Sequence, residues 1–198
     1  MKNIINCLVN HNSVINSKLR EVSVEEGLAI AEELFQILNK RGDGIGLAAN
    51  QVGIDAQVAV VNVIEPLVLI NPKYISKQNE IGYGEGCLSF PGHAIRTKRY
   101  QDIIISTEQS ESNWYFSGVD GDDKENRLLE AVCVQHEIDH LMGKTMHDRE
   151  VKLEPTKVEK KIGRNQKVLI ACGADSKVVK YKKAIPLLEN GWTLVESE

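Results

Sequence analysis

The sequence predicts an α+β fold, with mixed or antiparallel sheets around a central helix and a small β-rich appendage at the C-terminus. Three observations predict it. Apolar residues recur at helical spacing in two well-separated stretches, short strand-like runs lie between them, and the composition changes after residue 150. The 198 residues accordingly read as a main domain over 1–150, a charged linker over 151–166 and an appendage of hairpin and helix over 167–198.

The elements follow in order. Ser23 and Glu26 form a capping box ahead of Val24, Leu28, Ala31, Phe35 and Leu38, which repeat at helical spacing until Gly42 ends the helix. Gly44 and Gly46 break regularity. Gln57 to Val63 and Leu67 to Ile70 then read as strands, the second stopped by Asn71-Pro72, and Asp102 to Ser106 and Asn113 to Ser117 as two more. The second helix carries Leu129, Val132, Cys133, His136 and His140 along one stripe, with Asn126 as its N-cap and Gly143 as its stop. Past Val151, Lys152 to Arg164 is charged and broken by Pro155. Lys167 to Ala171 and Lys177 to Tyr181 read as a hairpin, Lys182 to Glu189 as a short helix, and Trp192 to Val195 as a last strand.

Chemistry is concentrated in the second helix. His136 and His140 are four residues apart, so both imidazoles project from one face and can share a cation, while Glu137 is placed to handle protons on a water beside it. That makes the central helix a metal-binding one. Two imidazoles leave a catalytic ion one protein ligand short of the usual three. Three candidates compete for the third place. His147 lies one residue beyond the position at which an extended zinc-protease motif has its last histidine, Met146 occupying that position. Glu159 stands about twenty residues downstream, and either residue would make the chain a zinc endopeptidase. Cys87 lies upstream in Tyr83-Gly84-Glu85-Gly86-Cys87-Leu88-Ser89, where flanking glycine lets the backbone approach a ligand closely.

Three separated motifs resemble those of the peptide deformylase family, GxGLAAxQ, EGCLS and QHExDH. They are Gly44-Ile45-Gly46-Leu47-Ala48-Ala49-Asn50-Gln51, then Glu85 to Ser89, then Gln135 to His140, complete and in order. The resemblance spans roughly residues 1–148 and leaves the last fifty aside. It implies that Cys87, His136 and His140 hold one divalent ion per chain, Fe²⁺ in the cell, with Zn²⁺, Ni²⁺ or Co²⁺ compatible with the same donors. It implies hydrolysis of the formyl group from N-formylmethionyl nascent peptides, with Glu137 carrying the proton and Gln51 and the backbone N–H of Leu88 stabilising the charged oxygen. Gly44, Ile45 and Gly46 on one side and Gly84 and Glu85 on the other become extended edges between which the peptide adds as a strand. Tyr83, Leu129, Val132 and Cys133 become the pocket for its methionine, and Arg99 a contact further along. Cys133 is read as a small core residue rather than a ligand, and Asp139 as fixing groups beside the site. The long C-terminal helix common in the family is not evident. A relative that binds metal without turnover is the remaining alternative.

Composition sets the boundaries. With 42% hydrophobic and 26% charged residues the chain is an ordinary globular one. No apolar run reaches membrane-helix length and no signal peptide is visible, so a cytoplasmic location without membrane contact is expected. Four cysteines without CxxC pairing suit a reducing compartment. Residues 151–198 hold ten Lys and Arg against six Asp and Glu, a net of +4, so that residues 1–150 carry −8 of the overall −4. A basic tail of this kind points to an anionic partner, the ribosome among them.

Overall fold

A computed structural model describes residues 2–8, 13–119, 122–151, 165–172, 175–188, 190 and 192–195. The chain forms two compact units, Met1–Lys152 and Leu153–Glu198.

In the first unit, helix α1 (Val24–Arg41) begins where Ser23 Oγ accepts the Glu26 N–H at 3.2 Å and ends at Gly42, whose left-handed φ of 77° brings its N–H to Leu38 O at 3.0 Å. Its buried face is Gly27, Ala31, Leu34, Ile37 and Leu38. The expected stripe is thus rotated, and Leu28 is 50% exposed. Gly27 explains the rotation, because a Cβ there would lie 2.6 Å from the Ile70 side chain and only glycine lets the helix settle so close to the sheet.

That sheet is β1 (Gly46–Ala48), β2 (Val58–Asn62) and β3 (Pro66–Ile70), antiparallel in the order β1-β2-β3. Val58 and Val60 face α1 while Ala59 and Val61 face the other way, so a run of four apolar residues is buried on both sides. A second antiparallel sheet runs β4-β5-β6 from β4 (Lys73–Cys87), β5 (Phe90–Ser106) and β6 (Trp114–Ser117). All sheets are antiparallel, so of the arrangements the sequence allows only this one is realised among the described residues. The β4–β5 hairpin is far longer than the strand expected at Asp102 to Ser106.

Helix α2 (Lys124–Leu141) lies between the sheets, packing Ala131, Val134, Ile138 and Leu141 with Ala59, Leu69, Ile103 and Phe116. Its residues from Ala131 to Leu141 are all buried, which is why it carries no single wet face. The cap is Asp123, not Asn126. Asp123 accepts the Asn126 N–H at 3.4 Å and its side-chain amide at 2.8 Å, so the helix starts one turn earlier than expected.

In the second unit, β7 (Lys167–Cys172), β8 (Asp175–Lys180) and β9 (Thr193–Val195) form a sheet of order β8-β7-β9. Helix α3 (Tyr181–Leu188) contributes Ala184 to a core with Val168 and Ile170. Hairpin, helix and strand fall where the sequence suggests, whereas most of the 151–166 linker, Glu159 included, lies outside the described residues.

Candidate metal centre

Cys87 closes β4, and His136 and His140 stand one turn apart on α2, where the second sheet crosses the helix. Cys87 Sγ lies 3.3 Å from His140 Nε2, which lies 3.2 Å from His136 Nε2, and the three donor atoms fall within 4.8 Å of one another. A thiolate and two imidazoles converging in this way match the soft, nitrogen-tolerant donor set of Zn²⁺ or Fe²⁺ sites. Among the described residues this is the one such group of three. His147 is not part of it, since its ring packs edge-on to Phe90 at 4.8 Å.

Each imidazole is set by its surroundings. His136 Nδ1 lies 3.2 Å from Glu85 Oε2, which fixes the ring and leaves Nε2 turned to the shared centre. Glu85 is held in turn by Arg99, whose Nε and Nη2 donate to Oε1 at 2.9 and 2.6 Å. Arg99 Nη1 donates to Asp139 at 2.5 Å, and Arg149 caps Asp139 at 2.9 and 2.7 Å. Burial pushes His140 well below the usual imidazole range, which keeps a ring-nitrogen lone pair available.

Glu137 is 3% exposed, and its Oε2 is buried with no hydrogen-bond partner among the described residues. Burial pushes its carboxyl up to about 7. An orphaned carboxylate oxygen beside three metal-type donors fits a centre that takes an ion and a water. Opposite, Gln51 is 1% exposed and its orientation is fixed, because Oε1 must accept the Ala48 N–H at 2.8 Å. Its Nε2 therefore points to Ser89 Oγ at 3.2 Å and Cys87 Sγ at 3.5 Å.

These groups open into a cleft of about 470 Å³. Gly44, Ile45 and Gly46 form one wall, Tyr83, Gly84 and Glu85 the other, with Leu129, Val132 and Cys133 between them and Leu88 beside Cys87. Both walls are sheet edges, since β1 and β4 each pair on one side only among the described residues. Cys133 is buried, with Sγ 3.7 Å from Ile45 O, and is a wall residue and not a donor to the centre.

Arg99 requires a correction. It was expected to meet the peptide, yet it is 2% exposed, does not line the cleft, and is enclosed by Glu85 and Asp139. Three side chains escaped the sequence reading: the Glu85 carboxylate, Ser89 and Arg149. Glu85 could have been found, because it precedes Cys87 by two residues and so shares its face of the strand. Arg149 and Ser89 follow no spacing rule.

Comparison with known proteins agrees with this geometry. The family model for polypeptide deformylase matches residues 4–156. A peptide deformylase of Hamiltonella defensa is 36% identical over 143 residues, 70% of this chain and 79% of the relative. The crystal structure of the Thermotoga maritima peptide deformylase superposes with a TM-score of 0.63 at 28% identity, covering 77% of this chain and 99% of that one. That of the Synechococcus elongatus enzyme in complex with actinonin gives 0.63 at 31%, covering 77% and 80%. With its motifs folded into one thiolate–imidazole centre and its sequence matched over most of its length, the chain belongs to the polypeptide deformylase family.

Proposed function

We propose that Cys87, His136 and His140 hold one divalent ion, Fe²⁺ in the cell, at which Glu137, Gln51 and Leu88 remove the formyl group from N-formylmethionyl nascent peptides. As a member of its family the protein is a metal-dependent hydrolase that deformylates nascent chains. The observation that carries the residue assignment is the convergence of one thiolate and two imidazoles beside an unpartnered, buried glutamate.

The peptide enters as an extended strand between the edges at Gly44–Gly46 and Tyr83–Glu85, which supply backbone groups, and the methionine side chain fills the space bounded by Tyr83, Leu129, Val132 and Cys133. An ion held by Cys87, His136 and His140 would supply Lewis acidity to the formyl carbonyl and acidify a water beside Glu137. Glu137, with its buried unpartnered oxygen, is placed to take the proton of the water that attacks the formyl carbon. Gln51 Nε2 and the Leu88 N–H donate to the formyl oxygen as charge grows there, each worth about 2.7–4 kcal/mol in comparable oxyanion holes. Glu137 then passes its proton to the departing amine, and formate and a free methionyl N-terminus leave.

Fe²⁺ is favoured by the family resemblance, and Zn²⁺, Ni²⁺ and Co²⁺ suit the same donors. A cytoplasmic setting accords with the unpaired cysteines and with the finding that no helix among the described residues is long and apolar enough to cross a membrane. The net +4 of residues 151–198 supports docking to the ribosome.

The test is formate release from formyl-Met-Ala-Ser by the iron-loaded protein. Glu137→Ala is expected to retain the ion and lose roughly 10²–10⁴-fold in rate. Equal rates for the two proteins would remove Glu137 from the proton path.

A further inference from the structure

We propose that Asn50, which neither binds the ion nor lines the cleft, is a positioning residue that locks the His140 end of α2 to the turn carrying Gln51. The inference rests on the metal-hydrolase reading above. Asn50 stands in the 3-10 turn Ala49–Val52 and is 0% exposed. Its Nδ2 donates twice, to His140 O at 2.7 Å and to Ile15 O at 3.1 Å, while its buried Oδ1 has no partner among the described residues. An unpaired buried amide oxygen is unfavourable, so a residue serving only to fill this space would be apolar. What asparagine supplies, and leucine of the same shape does not, is a pair of donors.

Those donors are not needed to cap the helix. His140 O already accepts the Gly143 N–H at 3.0 Å. The additional bond instead fixes where the His140 backbone sits relative to the turn. The next residue in that turn is Gln51, whose amide reaches Cys87 and Ser89. One turn therefore holds the backbone of one ligand through Asn50 and faces the thiolate of another through Gln51.

The second bond brings in the N-terminal segment. There Leu19 N–H donates to Leu141 O at 3.1 Å and Lys18 bridges Met142. Contact at that end of the helix is so close that a Cβ on Gly143 would lie 2.7 Å from the Ser17 backbone and 2.8 Å from that of Asn16. Three segments distant in sequence thus meet on one carboxamide, at the end of the helix that carries a ligand.

Asn50→Leu keeps the shape and removes both donors. Groups that orient a metal ligand are worth about 10–100-fold in affinity or activity. The variant loaded with Co²⁺ should show shifted ligand-field bands, release Co²⁺ to a chelator about 10–100-fold faster, and lose a similar factor in kcat with KM little changed. Unchanged bands, release rate and kcat, whatever the thermal midpoint does, would overturn the proposal and leave Asn50 a packing residue. If Asn50→Leu does not fold, Asn50→Ala decides by the same criteria. Should the wild-type protein release no formate while the Co²⁺ bands still respond to the substitution, positioning stands and the deformylase reading falls.

Discussion

Glu137 keeps its place because Gly46 has no side chain. A Cβ at Gly46 would run into the Glu137 carboxylate and lie 2.7 Å from Cys133 Sγ, so one methyl group on the edge strand would displace Glu137. Gly46→Ala is expected to bind metal normally and lose about 10²-fold in kcat, the scale of a ~1 Å misplacement, as measured by formate release at matched metal content. The site was legible at this scale wherever chemistry follows local spacing. His136, Glu137 and His140 are one helical turn, and Cys87 follows Gly86 in a short motif. What stayed hidden were residues that act through partners distant in the chain. Arg99 was expected to meet the peptide by resemblance, and only folding brings Glu85 and Asp139 around it. Asn50 was one letter of a motif until its amide met His140.

Between elements, the buried ion pairs join β4, β5 and α2 through Glu85, Arg99 and Asp139 and extend to Arg149. Burial alone would raise the Asp139 carboxyl, but the Arg149 hydrogen bond and the Arg99 charge outweigh it and hold the group below the ordinary aspartate range. Glu85 behaves alike, its burial outweighed by the hydrogen bond with His136 and the charge of Arg99. Both groups titrate near ~4 in the unfolded chain. Their folded values are lower, so the stability they confer is complete above that range and is lost as pH falls through the folded values. The urea midpoint of the chelator-treated protein should therefore drop steeply below about pH 4. Asp139→Asn should cost about 3–5 kcal/mol at neutral pH and flatten that acid decline. Elements that bury a face were readable as elements: α1 through its cap and helical spacing, although its buried face is rotated from the expected stripe, and β2 through four consecutive apolar residues. The β4–β5 hairpin was not, because most of Lys73–Cys87 is exposed or half-buried and the strand is maintained by its backbone ladder rather than by an apolar pattern.

At the scale of the whole molecule, charge divides the chain. Residues 1–150 carry −8 and residues 151–198 carry +4, a contrast that favours anionic surfaces for the second segment alone. Removing residues 153–198 is expected to leave formate release within about two-fold and to reduce co-sedimentation with ribosomes at low salt, an effect that should fade as the Debye length shrinks to about 8 Å at physiological ionic strength. Unchanged pelleting would assign the basic segment another role. The small sheet and helix of the second unit were legible from turn residues and β-branched runs, since hairpin chemistry is local.

The two open strand edges beside the centre have a cost that the resting protein bears. Unpaired N–H and C=O rows invite other chains to pair with them, and proteins ordinarily blunt such rows or hide them. Here they line opposite sides of one cleft. In the binding mode proposed above, a formylated peptide would complete a seam joining two separate β surfaces, and its release after hydrolysis would reopen that seam. On that proposal turnover and the temporary joining of two sheets are one cycle, and whatever else adhered to those edges would have to enter as an extended chain.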